Sequence, residues 1–266
     1  MCTTVLSFDP GSPVPVLLIG VRDEFLDRPW AGPGRHWPQW PELIGGQDLQ
    51  AGGTWLAVNP AAPRVACVLN GHGKSAAEDT RLSRGDLPLL LAAGKLDGAA
   101  ALGALDLPRY DPFHLLGATP GSAHLWSWDG ERLSDQNLSP GLHLVVNSGL
   151  EAEDDQGGPG AEQMRARIAH FRPLLVAAHR PQPQTGSAAE AWEAWLALAD
   201  GAGLDPADPR ALLVCGSIDD REWGSSSISL VALTDQAARY DFRATQPAQG
   251  ATTWTTVLSS EASATE

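Results

Sequence analysis

The sequence predicts an α+β fold with at least one largely antiparallel sheet, and three observations predict it. Gly (28) and Pro (21) are abundant without any repeat period, so the 266 residues form short elements joined by many turns rather than a helical bundle. Short β-rich runs recur at the start, middle and end of the chain, interrupted by stretches whose apolar side chains follow helical spacing. With 43% hydrophobic and 19% charged residues, the chain can bury one sizeable core and is not composed like a disordered one. No linker is visible, so residues 1–258 read as one domain, followed by a frayed tail over 259–266.

Each element has its own signal. Residues 2–8 are β-rich and break at Asp9-Pro10-Gly11, and 14–21 resume as a second strand, which makes an opening hairpin. Residues 30–41 crowd Trp30, Trp37 and Trp40 among Pro33, Pro38 and Pro41, which predicts an irregular aromatic loop. Strands at 54–58 and 65–69 end at the turn dipeptides Asn59-Pro60 and Asn70-Gly71, a second hairpin. Good helix formers at 86–93 and 96–105, separated by Gly94, predict two short helices. Strands follow at 113–117, 123–128 and 142–146, the middle one closed by Asp129-Gly130 before 131–133. Residues 151–160 are acidic and Gly-rich, an exposed loop. Met164 and Ile168 within 161–170 lie on a helical stripe that continues to Phe171, and Trp192, Trp195, Leu196 and Ala199 share another within 188–199. Pro173, Pro181 and Pro183 end the first of these helices and make the join between them a loop. Strands at 212–215, 228–233 and 239–244 complete the chain, the last two as a hairpin across 234–238.

Composition excludes several functions. With 18 Lys and Arg against 32 Asp and Glu, the formal charge is −14, which is no nucleic-acid footprint. The longest apolar run, 14–21, is too short to span a bilayer, and the first 20 residues lack a basic signal region, so a cytoplasmic protein without a membrane span is expected. Cys2, Cys67 and Cys215 form neither a metal pair nor an even disulfide framework. The seven histidines show no ligand spacing, and neither a metal nor a cofactor is expected. Cys67 and Cys215 lie in apolar strand runs and read as inert core residues.

Cys2 carries the chemistry. Methionine aminopeptidases act before a small second residue, so removal of Met1 would leave a cysteine with a free α-amine. An α-amine of pKa about 7.7 to 8.0 beside a thiol of about 8.5 can take the thiol proton near neutrality. One residue then supplies nucleophile and base. Behind it follow, in order, Val21-Arg22-Asp23-Glu24-Phe25, Arg28-Pro29, Gly45-Gly46-Gln47-Asp48-Leu49, Gly52-Gly53-Thr54-Trp55-Leu56, Leu69-Asn70 and Ser83-Arg84-Gly85-Asp86-Leu87. This set resembles the NRDE family, which includes the transport-and-Golgi-organisation protein two homologues, closely over about the first 90 residues. The family's pattern runs MC, NRDE-F-x-x-RP, GG-x-DL, GGTWLG, L-[TS]-N and SRG-x-L. Three positions depart from it: Val21 replaces the opening Asn, Ala57 replaces the last Gly of GGTWLG, and Ser226 stands where a late YGTRSS-type segment has arginine.

The resemblance implies a four-layer αββα sandwich of N-terminal-nucleophile hydrolase type with largely antiparallel sheets. It implies Cys2 as nucleophile, Arg22 favouring its thiolate, Asp23 orienting the α-amine, and Asn70 and Asn147 as oxyanion donors. Loss of the cation at Ser226 would tend to raise the thiol pKa. Trp30, Trp37 and Trp55 are candidates for the wall of a substrate pocket, because Trp combines large apolar area with one N–H donor. The expected activity is hydrolysis or acyl transfer on an amide or thioester of a hydrophobic small molecule through an acyl-cysteine. The alternative is a non-catalytic protein that binds or traffics haem or acyl-CoA. Two motifs read as coincidental: Gly71-His72-Gly73-Lys74-Ser75 lacks the first glycine of a phosphate loop, and Arg84-Gly85-Asp86 only spells an adhesion tripeptide.

Overall fold

A computed structural model describes residues 2–96, 98–153, 160–246 and 252–259. Met1, the acidic loop between 154 and 159 and the expected tail from 260 onwards lie outside the described residues.

The chain builds two antiparallel sheets. The first contains β1 (Thr3–Phe8), β2 (Val16–Phe25), β10 (Gly141–Val146), β11 (Gly149–Leu150), β13 (Arg221–Leu233), β14 (Ala238–Ala244) and β15 (Thr255–Leu258) in the order β11-β10-β1-β2-β13-β14-β15, with β12 (Cys215–Ile218) beside β13. The second runs β3 (Trp30–Gly34), β4 (Ile44–Asp48), β5 (Leu56–Asn59), β6 (Arg64–Asn70), β7 (Phe113–Thr119), β8 (Ser122–Trp128) and β9 (Leu133–Asn137) as a meander in chain order. Helices α1 (Asp86–Ala92) and α2 (Gly98–Gly103) belong to the second sheet's side, and α3 (Ala161–Ala177), α4 (Ala188–Trp192) and α5 (Ala194–Ala199) to the first's.

Strand alternation explains the layering, because successive side chains point to opposite faces and here both faces are apolar. Leu6, Leu18 and Val231 of the first sheet meet Leu56, Leu69, Leu116 and Leu125 of the second in the central layer. Their neighbours Val5, Ile19 and Leu230 face the other way, against Met164, Phe171, Trp192 and Trp195. On the far side Ala66, Leu115 and Trp126 pack with Leu87, Leu91 and Leu102. The result is the four-layer αββα sandwich that the family resemblance implies.

Several elements differ from the sequence reading, each for a physical reason. The charged run after the second strand is itself strand, since β2 continues to Phe25 by pairing with β13. The Trp-rich segment is not wholly irregular: Trp30 and Ala31 pair with Asp48 and Gln47 of β4, a strand the sequence reading missed along with β15. Helix α3 passes through Pro173 instead of stopping there. The expected helix over 188–199 divides at Glu193, whose φ is +50°. The strand expected at 212–215 begins only at Cys215, and Cys215 is exposed rather than core.

Candidate functional site

Cys2 and β2 build the centre of the site. Cys2 shares the parity of Leu6 and Phe8 and so faces the layer between the sheets, against which it packs half-buried. Beyond the last β1–β2 pair, Thr3 with Val21, the peptide of Asp23 turns to the sulfur. Its N–H donates to Cys2 Sγ at 3.4 Å, and the thiol reaches its carbonyl at 3.5 Å. Burial pushes the Cys2 thiol above its ordinary value, opposed by the Asp23 N–H and the nearby Arg22 cation.

Alternation on β2 then sends Arg22 and Asp23 to opposite faces. Arg22 enters the central layer, where its guanidinium lies 4.5 Å from the Trp55 ring centroid and 3.5 and 3.7 Å from the Glu24 and Asp48 carboxylates. Desolvation lowers its pKa, with Glu24 as the leading opposing charge. Asp23 points instead towards α3, where Arg167, fully buried, holds its carboxylate at 3.9 Å and donates to Thr3 Oγ1 at 2.6 Å. Strand β13 supports both residues through a bulge at Ser226. Ser225 Oγ donates to Asp23 Oδ1 at 2.6 Å, and Arg22 Nη1 donates to Ser226 Oγ at 3.0 Å. Ordinary alternation sends Ser225 and Ser226 to opposite faces, and the bulge makes Ser226 the extra residue between the Ser225–Asp23 and Ser227–Arg22 pairs. The residue at the family's arginine position thus holds Arg22, while a cation reaches Asp23 from α3.

A cavity of about 700 Å³ opens over Cys2. Arg22, Trp55 and Asn70 line it together with Arg28, Asp48, Arg81, Arg84 and Arg221. Its wall is strongly charged, not mainly apolar. Of the three tryptophans named from sequence, Trp55 alone lines this cavity. Trp30 stands edge-on behind it at 5.7 Å and packs on Phe242. Trp37 lies in the separate core under α1, with its indole N–H on the Gly52 carbonyl. The two asparagines also divide. Asn70 reaches the Cys2 cavity, whereas buried Asn147 lines a neighbouring cavity of about 750 Å³ with His114 and Ser127, and donates its amide to the Asn70 carbonyl at 2.9 Å. Asn147 fixes the Asn70 turn from behind.

The sequence reading missed Arg28, Arg81, Arg84, Arg167, Arg221 and Ser225. Arg28 and Arg84 sit inside the motifs themselves and were legible as charges; the others lie on distant segments that only the fold brings in. Among the described residues, no helix is long and apolar enough to cross a membrane.

Among solved structures, the C2A mutant of the conjugated bile acid hydrolase from Clostridium perfringens superposes with a TM-score of 0.48 at 10% identity, covering 97% of each chain. No curated protein matches the sequence. The family model for Transport and Golgi organisation 2 matches residues 1–181, a span holding Cys2, the β2 motif, Asn70 and Arg84. By that match over more than half its length, the chain belongs to the Transport and Golgi organisation 2 family.

Proposed function

We propose that this chain is a cysteine N-terminal-nucleophile hydrolase or acyltransferase that cleaves an amide or thioester. The observation that carries the reading is the Cys2 thiol held between the N–H and carbonyl of Asp23, at the floor of a cavity with Arg22 beside it. After removal of Met1, the Cys2 α-amine takes the thiol proton as sulfur bonds to the substrate carbonyl carbon. A base is needed because burial favours the neutral thiol. Arg22 and the Asp23 N–H hold negative charge on sulfur. The side-chain amide of Asn70, which has no hydrogen-bond partner among the described residues, is free to donate to the oxyanion; one such donor is typically worth about 2.7 to 4 kcal/mol of barrier. Collapse of the intermediate breaks the bond to the leaving amine or thiol, which takes the proton back from the α-ammonium. Water, or an acceptor nucleophile, then cleaves the acyl-cysteine.

A second reading, non-catalytic binding of acyl-CoA in the same cavity, draws on its arginines and on the raised thiol pKa. Intact-mass spectrometry with an activated octanoyl thioester separates the two. The enzyme reading expects a protein lacking Met1 and a single octanoyl adduct on Cys2 that decays with turnover. The adduct should vanish in Cys2→Ala and persist in Cys215→Ala, a necessary control since Cys215 is exposed. Retention of Met1, or an adduct mapping only to Cys215, overturns it.

A further inference from the structure

Five arginines line the Cys2 cavity, and four of them have carboxylates of their own. Arg22 lies 3.5 Å from Glu24, Arg28 2.6 Å from Asp48, Arg81 3.3 Å from Asp111 and Arg221 2.6 Å from Asp27. Arg84 differs. Among the described residues no carboxylate oxygen lies within 4 Å of it, and its one hydrogen bond runs from Nη1 to the Pro112 carbonyl at 2.7 Å. A guanidinium carries five N–H donors in a rigid fork, so most of this one remains to be used. Burial lowers its pKa, and the Asp111 carboxylate is the leading charge opposing this. A half-buried cation whose leading carboxylate, Asp111, makes no direct contact with it is stabilised when a closer anion arrives.

The loop that carries Arg84 is fixed. The Thr54 N–H donates to the Gly85 carbonyl at 2.9 Å, and a Cβ on Gly53 would lie 2.5 Å from the Gly85 carbonyl carbon, so only glycine allows the approach. The Ser83 hydroxyl takes the Gly85 N–H at 3.1 Å. The Pro112 carbonyl that anchors Nη1 also accepts the Gly71 N–H at 2.9 Å, which ties the guanidinium to the turn bearing Asn70. Arg84 is thus held rigidly beside the oxyanion donor and opens into the cavity that holds Cys2.

The geometry points to Arg84 as the recognition site for an anionic group on the substrate, a carboxylate or a phosphate monoester gripped by the guanidinium fork while the acyl carbonyl lies over Cys2. The inference rests on the reading of this cavity as the substrate site. It narrows the substrate from a hydrophobic small molecule to one with an anionic head.

Equilibrium binding to the full-length Cys2→Ala chain tests it without turnover. Titration calorimetry would compare N-octanoyl-alanine, its neutral counterpart N-octanoyl-alaninamide, and octyl phosphate. We expect the anionic head to bind roughly 10- to 100-fold tighter than the amide, a preference that Arg84→Gln abolishes. Arg84→Lys, which keeps the charge but not the fork, should retain only part of it, and remains informative if the glutamine variant does not fold. Whether N-octanoyl-alanine or octyl phosphate shows the Arg84-dependent preference identifies the head group. Equal binding of all three probes, absence of binding by any, or a preference unchanged in both variants overturns the inference. Loss of octanoyl transfer to Cys2 with this preference intact would instead overturn only the enzyme reading.

Discussion

Two thiols, half-buried Cys2 and buried Cys67, illustrate how the same physics yields opposite chemistry. Burial raises the pKa of both Cys2 and Cys67, since a thiolate loses its hydration in either place. At Cys2 the cost is offset by an N–H donor, a nearby guanidinium and an open cavity, so charge on sulfur can form when a substrate arrives. Cys67 has only the Thr4 hydroxyl at 3.6 Å and apolar neighbours, and its pKa is pushed from 9.0 to about 12. The native state therefore holds the Cys67 proton at pH values where the unfolded chain has released it, so this contribution to stability is complete below about pH 9 and is lost as pH rises towards 12. Tyr240, buried and also shifted upward, adds loss in the same direction only at still higher pH. Denaturant unfolding between pH 8 and 10.5 should show stability falling by up to about 1.4 kcal/mol per unit from this one group. In Cys67→Ala that alkaline slope should flatten; an unchanged slope would show that Cys67 does not carry it.

Among the elements, the junction of α4 and α5 stores strain. Ser187 and Glu190 form a complete capping box, so α4 starts firmly, yet Glu193 sits at φ +50° and ψ −128°, backbone that favours glycine. Trp192 and Trp195, on either side of the break, both pack in the core, as their i, i+3 spacing would also allow in a continuous helix. The side chain of Glu193 contributes little, being exposed with His179 3.7 Å away. Glu193→Gly should therefore stabilise the protein by about 1 kcal/mol, or raise the melting temperature by roughly 2–4 °C, in a calorimetric scan. A fall in melting temperature would mean that the flanking helices, not the local backbone, fix this geometry. The same junction shows what the sequence could convey. The stripe of Trp192, Trp195 and Leu196 announced a helix, but nothing local marks Glu193 as a break, because the backbone is forced there by tertiary packing. Pro173 misled in the other direction: α3 keeps its course since Phe171 and Leu175 are anchored on either side of an exposed proline. Strands β3 and β4 were hidden because their glycine-rich sequences show no alternation, and pairing of β4 to β5 and of β3 to β4 defines them. At the site, Cys2, Arg22, Asp23 and Asn70 were legible from motif order, whereas Arg167 and Ser225 were not, since their partners lie far away in sequence.

At the scale of the whole molecule, the family match ends at residue 181, but the first sheet cannot end there. Strand β13 lies between β2 and β14 and pairs with β2 from Val16 to Phe25, the strand that carries Arg22 and Asp23. Residues beyond 181 also supply Ser225 and Ser226, which hold those two side chains, and Trp192 and Trp195, which cover Leu17 and Ile19. Without them, β2 would present its backbone donors and acceptors as an open edge and the apolar face of the sheet would meet water. A fragment of residues 1–181 should therefore show no cooperative thermal transition by circular dichroism and should be cut rapidly by protease. Cys2 in that fragment should alkylate with iodoacetamide at the pH profile of an ordinary exposed thiol, because the burial that raises its pKa is gone. The full chain should melt as one unit, as a single domain over 1–258 requires. If the fragment melts cooperatively and keeps the shifted profile of Cys2, the site belongs to the first 181 residues alone and the central position of β13 is dispensable to it.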